Sequence, residues 1–224
     1  MRQDERSERS RALVLEAALG LFSRQGYRAT SIREIADAAR VSTGLVYHHF
    51  PDKETLFRTL LDQYWDAIAS PDFPFNRALA AGAFPDDLEA LARAAEESVK
   101  GWRRHVALIY VDVVEFEGTH IRKFYSDMAG RFDSFLSQRL GPRALARRLR
   151  PGVSPLSAVM LTSRFFLYYF ATEILFGVPE QFGKPTGQAV RDVAEILRHG
   201  MLAAGRESAP QTVAAAPRTG EPAD

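Results

Sequence analysis

Apolar residues recur along most of this chain at the i, i+3, i+4, i+7 spacing of a buried helical face. Val14, Ala17, Ala18, Leu21 and Phe22 open the series, and Gly26 supplies a stop with Tyr27 packing behind it. Thr30 or Ser31 then caps a helix whose core face is Ile32, Ile35, Ala36 and Ala39, and Glu34 suits a capping box with Ser31. A break at Arg40–Val41 leads to a new cap, Ser42 or Thr43, and a short run ending at Phe50. After Pro51-Asp52-Lys53, a fourth helix carries Phe57, Leu60, Leu61, Tyr64 and Ile68 on one face.

Between Ser70 and Pro85 three prolines predict a connection with little regular structure. Helical spacing then resumes. Leu88, Leu91, Ala92, Ala95, Val99 and Trp102 form one face, and Val106, Ile109, Tyr110 and Val113 another. Ile121, Phe124, Tyr125, Met128, Phe132 and Phe135 form a third. Pro151 to Pro155 breaks the chain before an aromatic run, and Val190, Val193, Ala194, Leu197 and Met201 close the series. No segment alternates with period two between hairpin turns, so the expected class is all-α.

An apolar fraction of 46% suffices for a sizeable core, which excludes wholesale disorder. The absence of cysteine removes disulfides, Cys-based zinc sites and a Cys nucleophile. The charged start MRQDERSERSR does not read as a secretory signal, and Arg164 and Glu173 interrupt the greasy stretch 156–176. A cytoplasmic protein with no membrane partner is expected. Residues 205–224, with three prolines and no aromatic, read as a disordered tail. Residues 1–60 carry ten basic against eight acidic residues, so any nucleic-acid binding must rest on local placement of cations.

The short helices 31–39 and 42–50 have the dimensions of a helix-turn-helix. With Val46 at zero on a wheel, Phe50 falls at about 40° and Thr43 at about 60°, on the core side. Gly44, His48 and Leu45 fall at about 160°, 200° and 260°, away from it. The outward set is a glycine, an aliphatic residue and His48, flanked by Tyr47 and His49, with almost no charge. A solvated face normally carries Lys, Glu or Arg. Insertion into a DNA major groove accounts for the composition: glycine permits close approach, Leu45 meets a thymine methyl, and His48 bonds a base edge. A helical hairpin that packs its small residues internally remains open on the wheel alone.

The stretch from Arg11 to Leu56 resembles the N-terminal domain of the TetR family of bacterial transcription regulators. The resemblance rests on RALVLEAALGLFSRQGY and ATSIREIADAARVSTGLVYHHFPDKETLF, with G-Y-x-x-T-S-I, I-A-x-x-A, V-S-x-G-x-x-Y-x-x-F and P-x-K-E-x-L at that family's spacing. It implies phosphate contacts from Thr30 and Ser31 at a helix N-terminus, and groove-facing positions at Ser42, Thr43, Gly44, Leu45 and His48. It further implies DNA-backbone contacts from Tyr47 and His49 and a phosphate-binding role for Lys53. Two departures stand out. Arg40 occupies a turn position where the family most often has glycine, which puts another cation near DNA and costs about 1 kcal/mol if the residue is left-handed. Thr43 stands where many members have lysine or arginine, removing a phosphate partner.

The expected organisation is a three-helix helix-turn-helix DNA-binding domain over 8–68 (helix-turn-helix 31–50), then a helical ligand-binding and dimerisation domain over 69–204. Dimerisation through 155–176 and 187–204 gives the all-round apolar run SRFFLYYFATEILF a second surface, with Phe166, Phe170, Ile174, Val193, Leu197 and Met201 as interface residues. Tyr64, Trp65, Trp102, Tyr110, Phe116, Phe124, Met128, Phe165 and Tyr169 are candidates to line an apolar pocket, without a charged anchor to name a ligand class. Asp112, Glu115, Glu117 and His120 do not share a helical face across Gly118 and read as a solvated acidic stretch rather than a metal site. No G-x-S-x-G, H-E-x-x-H or phosphate-binding lysine loop is present, so neither catalytic residues nor a cofactor are expected. The expected function is a regulator, most simply a repressor, that binds a palindromic operator as a homodimer and is released by a small apolar or aromatic effector. A ligand-blind dimeric DNA-binding protein, and more remotely an all-α enzyme, are the alternatives.

Overall fold

The first long helix, α1 (Gln3–Gln25), buries Val14, Leu15, Ala18, Leu19, Leu21 and Phe22 and ends where Gly26 turns to φ +86. The computed structural model describes residues 3–199. Met201 and the expected disordered tail lie outside those residues. Among the described residues there is no strand, and no helix is long and apolar enough to cross a membrane.

Two short helices follow, α2 (Ile32–Ala39) and α3 (Thr43–His49), and both pack on α1. Helix α4 (Lys53–Ala69) starts at Asp52, whose carboxylate accepts from the Thr55 N–H at 2.6 Å. It buries Leu56, Phe57, Leu60, Leu61, Tyr64 and Trp65. These four helices form the head of the molecule.

The stretch after Ser70 is more regular than its prolines suggest. Pro74 opens a helix, α5 (Pro74–Ala80), where a missing N–H costs nothing, and Phe75 and Leu79 fix it to the core. The two apolar faces read from Leu88 to Val113 belong to one element, α6 (Leu88–Phe116). It spans 29 residues, about 43 Å, and kinks where Trp102 leaves helical geometry at φ −113 and ψ 17. The kink explains why the face shifts after Trp102.

Helix α6 is the spine, with α1, α4, α5, α9 and α10 all packed against it. Helix α7 (Arg122–Phe135) runs into a π-helical turn at Leu136–Leu140 and a short α8 (Pro142–Ala146). Helix α9 (Pro155–Leu175) lies along α6 and α7, and α10 (Thr186–His199) covers α6.

The expected interface residues are placed differently. Phe166, Phe170 and Val193 are 0%, 2% and 7% exposed, inside the protomer's own core, while Ile174 and Leu197 are half-buried. The outer face of α9 instead exposes Leu161 and Tyr168, with Phe176 at its end and Ile196 on α10. An all-round apolar helix does not reveal which face meets α6, and that ambiguity put core residues such as Phe166 and Phe170 among those expected to be free for a partner.

Candidate nucleic-acid interface

The helix-turn-helix is locked by local hydrogen bonds. Ser31 Oγ accepts from the Glu34 N–H at 3.2 Å, and the Glu34 carboxylate accepts from the Ser31 N–H at 2.7 Å, completing the capping box. Those donors hold the Glu34 carboxyl below the ordinary range. Arg40 ends α2 in the left-handed region (φ 57, ψ 44), and the Val41 N–H reaches back to the Ala36 carbonyl at 3.0 Å. Ser42 Oγ then accepts from the Leu45 N–H at 3.1 Å and starts α3.

Only Val46 of α3 is buried, followed by Phe50 just beyond it. Ser42, Thr43, Gly44, Tyr47 and His48 are exposed and Leu45 is half-buried. Thr43 is thus outward although the wheel put it on the core side, because at the first helical position no neighbouring element covers it. A Cβ at Gly44 would meet nothing nearer than Ser42 Oγ at 3.8 Å, so internal packing does not require glycine there. The face is polar but carries no carboxylate, while α2 and its turn expose Ser31, Arg33 and Arg40 together with Glu34 and Asp37.

Three residues expected on the DNA side are turned inward. Thr30 is 1% exposed and donates its hydroxyl to the Gly26 carbonyl at 2.7 Å, so its side chain closes the α1–α2 turn and cannot reach phosphate. His49 is half-buried, with Nε2 2.7 Å from Ser10 Oγ. Since that hydroxyl donates to the Ser7 carbonyl at 2.8 Å, the histidine N–H is the donor in the pair. His49 therefore pins α3 to α1, and burial pulls its pKa down. Lys53 Nζ donates to the carbonyls of Tyr27 (2.9 Å) and Thr30 (2.8 Å) and lies 4.1 Å from the Tyr27 ring centroid. Two of its three protons are thereby committed, and burial lowers its pKa while Glu115 and Glu34 offset part of the effect.

The head meets the body at a junction that sequence reasoning missed. The Glu115 carboxylate accepts from the backbone N–H groups of Tyr27 (2.9 Å) and Arg28 (2.6 Å), and the Arg28 guanidinium donates back to the Glu115 carbonyl at 3.2 Å. A Cβ on Gly26 would collide with that carboxylate. Phe116 stacks on Phe57 at 5.1 Å and meets Tyr27 edge-on at 4.6 Å. Beside them the fully buried Asp112 carboxylate lies 2.6 Å from His120 Nδ1 and accepts from the Ile121 N–H at 3.2 Å. His120 Nε2 is 3.5 Å from Glu54 on α4. The expected solvated acidic stretch is therefore partly an interior brace. Gly118 (φ +72) turns the chain so that His120 returns over Asp112, a contact no helical wheel contains. Among the described residues no cluster is placed to hold a metal ion.

Below the junction lies a cavity of about 1340 Å³, bounded by α4, α6, α7 and α9. Tyr64, Trp65, Tyr110, Phe124, Met128 and Phe165 line it, as their pattern suggested. Trp102 stands behind Tyr64, Phe116 sits in the junction, and Tyr169 packs among Phe165, Phe170 and Phe182, so these three do not line it. A second recess of about 510 Å³ lies beside Arg93, Glu96, Glu97 and Lys100, where Lys100 pairs with Glu96, Arg93 with Asp87 and Glu97 with Arg77.

Residues 14–60 match the family model for bacterial regulatory proteins of the tetR family. The HTH-type transcriptional repressor KstR2 of Rhodococcus jostii (strain RHA1) is 36% identical over 107 residues, 47% of this chain and 50% of that protein. The HTH-type transcriptional regulator HbdR of Aromatoleum sp. (strain CIB) is 51% identical over 65 residues, 27% and 28% of the two chains. The matched stretch thus spans half or less of these curated relatives. The solved structure of NalD, described as the secondary repressor of the MexAB-OprM multidrug efflux pump in Pseudomonas aeruginosa, superposes with a TM-score of 0.58. That superposition covers 88% of this chain and 97% of that one at 23% identity, and shows likeness of fold.

Proposed function

We propose that this chain, a member of the TetR family by its N-terminal helix-turn-helix domain, is a transcriptional regulator, most simply a repressor, that binds a palindromic operator as a homodimer. The observation that carries the reading is the outward face of α3, where an unpacked glycine sits among short polar and aromatic residues without a carboxylate. Ser42, Thr43, Gly44, Leu45 and His48 read the groove. Arg40, Tyr47 and the remaining proton of Lys53 position the phosphates, while Ser31, whose N–H and hydroxyl both donate to Glu34, serves to start α2.

The head comprises 8–68 and the body 69–204, with catalysis no part of its work and the cytoplasm as its place of action. The homodimer forms over the exposed Phe176 at the end of α9 and Ile196 of α10, with Ile174 and Leu197 at its margin and with Leu161 and Tyr168, which also line the cavity, where the partner borders its mouth. A small apolar or aromatic effector occupies the cavity and releases the DNA. Tyr64 and Trp65 wall the cavity on the same helix that carries Lys53 and Glu54 into the junction, so a push at one end tilts the other. A ligand-blind DNA-binding protein would have no use for a cavity of this size.

The test is sedimentation of the full chain with footprinting of the DNA upstream of its own gene. A dimer protecting two half-sites about 34–36 Å apart is expected. A monomer at micromolar concentration with no protection there rejects the reading.

A further inference from the structure

The cavity's polar groups are not equally free. The Ser163 hydroxyl donates to the Val159 carbonyl at 2.7 Å, and the Asn76 amide donates to the carbonyls of Ile68 and Ser70 at 2.7 and 2.8 Å. Two guanidiniums of the lining have no strong hydrogen-bond acceptor among the described residues. Arg131 lies with its Cζ 5.5 Å from the Phe124 ring centroid, and Arg164 Nη2 has only Met128 Sδ, at 3.7 Å, a weak acceptor. Among the described residues neither has a carboxylate within 4.0 Å, whereas Arg77, Arg93, Lys100, Arg104, Arg148, Lys184 and Arg198 all do.

Phe124, Met128, Arg131 and Phe135 fall on one face of α7 and all line the cavity, and Arg164 of α9 reaches this same strip at Met128. At its start Trp65 stacks on Phe124 with centroids 3.9 Å apart and planes within 11°. The lining contains one acid, Asp127, whose carboxylate accepts from the Ser126 hydroxyl at 3.4 Å. Tyr110 and Tyr125 add phenol donors whose pKa burial raises further, although the Arg164 guanidinium pulls Tyr125 the other way.

We infer that the cavity takes a ring-bearing organic anion, its apolar body against the Trp65–Phe124 stack and its charged group held by Arg131 and Arg164. This rests on the reading of the cavity as the effector site and narrows it from apolar molecules in general to aromatic or alicyclic acids. A guanidinium beside an aromatic wall offers a carboxylate or sulfonate two parallel N–H donors at little desolvation cost to the rings.

Two fluorescent probes of similar shape test it on the full chain: the anion 1-anilinonaphthalene-8-sulfonate and uncharged N-phenyl-1-naphthylamine. Both should brighten, displace one another, and differ in that only the anion weakens with added salt. In an Arg131→Gln, Arg164→Gln double variant the anion's Kd should rise about five- to tenfold while the neutral probe changes less than about twofold, which also reports that the cavity is intact. Equal loss or equal retention of both probes, or failure to displace one another, overturns the anion anchor. Binding of either probe only after dilution to monomer overturns it as well, because a second copy would then cover the cleft. If neither probe enters the wild type, the effector-site reading itself falls.

Discussion

Replacing Glu115 by alanine removes the one acceptor that the Tyr27 and Arg28 amides have among the described residues, since their bonds at 2.9 and 2.6 Å both end on its carboxylate. Hydrogen bonds to a charged group contribute about 1.5–3 kcal/mol each. The Glu115 side chain is 16% exposed, so its desolvation is already met by these two donors. Water can reach the exposed Arg28 once the carboxylate is gone, so the larger part of the loss falls on half-buried Tyr27. The Arg28 guanidinium, 4.0 Å away and 79% exposed, adds little. The expected cost is about 2 kcal/mol, a fall in Tm of about 4–8 °C for a chain of this size. Glu115→Gln keeps one acceptor oxygen and should recover roughly half. Calorimetry gives the stability, and amide exchange at Tyr27 and Arg28, expected to accelerate by more than about tenfold in the alanine variant, locates it. Unchanged exchange at both amides with an unchanged Tm would refute the claim that Glu115 ties the head to the body.

Arg40→Gly relieves a left-handed residue at φ 57 and should raise stability by about 0.5–1 kcal/mol, read as a higher urea midpoint; a lower midpoint contradicts it. His105 lies against Tyr64 and Trp102, and burial lowers its pKa to about 4, with Arg104 lowering it further and Glu16 opposing. Its unfolded value is 6.5, so the unfolded chain binds more protons below that pH and stability falls as pH drops from 6.5 towards 4. Discounted for partial exposure the loss is about 2 kcal/mol, and His105→Phe should flatten that limb of the pH profile; parallel profiles reject the assignment. Lys53→Met should weaken binding on every duplex and lower the salt slope by about one ion. His48→Ala should instead cost about 1–3 kcal/mol at particular base pairs, and uniform losses from both variants across a randomised pool would remove base reading from His48.

What was legible in the sequence is what local spacing encodes. The capping box at Ser31 and Glu34, the stop at Gly26 and the outward Gly44 and His48 all follow from residues a turn apart, whereas the left-handed turn at Arg40 is signalled by the family resemblance. Thr30, His49 and Lys53 are a different case. Their partners, Gly26, Ser10 and the Tyr27 carbonyl, are reached only through the turns and the tertiary packing of the head. The Glu115 tether spans 88 residues and the His120–Asp112 contact depends on a glycine turn, so neither leaves a periodic trace. Helix α9 shows the remaining limit: when apolar residues occupy every face, period alone does not tell Phe166 in the core from Tyr168 outside it.

The central claim is that two copies of α3 read a two-fold symmetric sequence. Selection of bound duplexes from a randomised pool by the full chain tests it most directly. The account predicts enrichment of an inverted repeat whose half-sites are centred about 10 base pairs or a multiple apart. Enrichment of a single asymmetric site, or of no sequence at salt concentrations where binding persists, would contradict it.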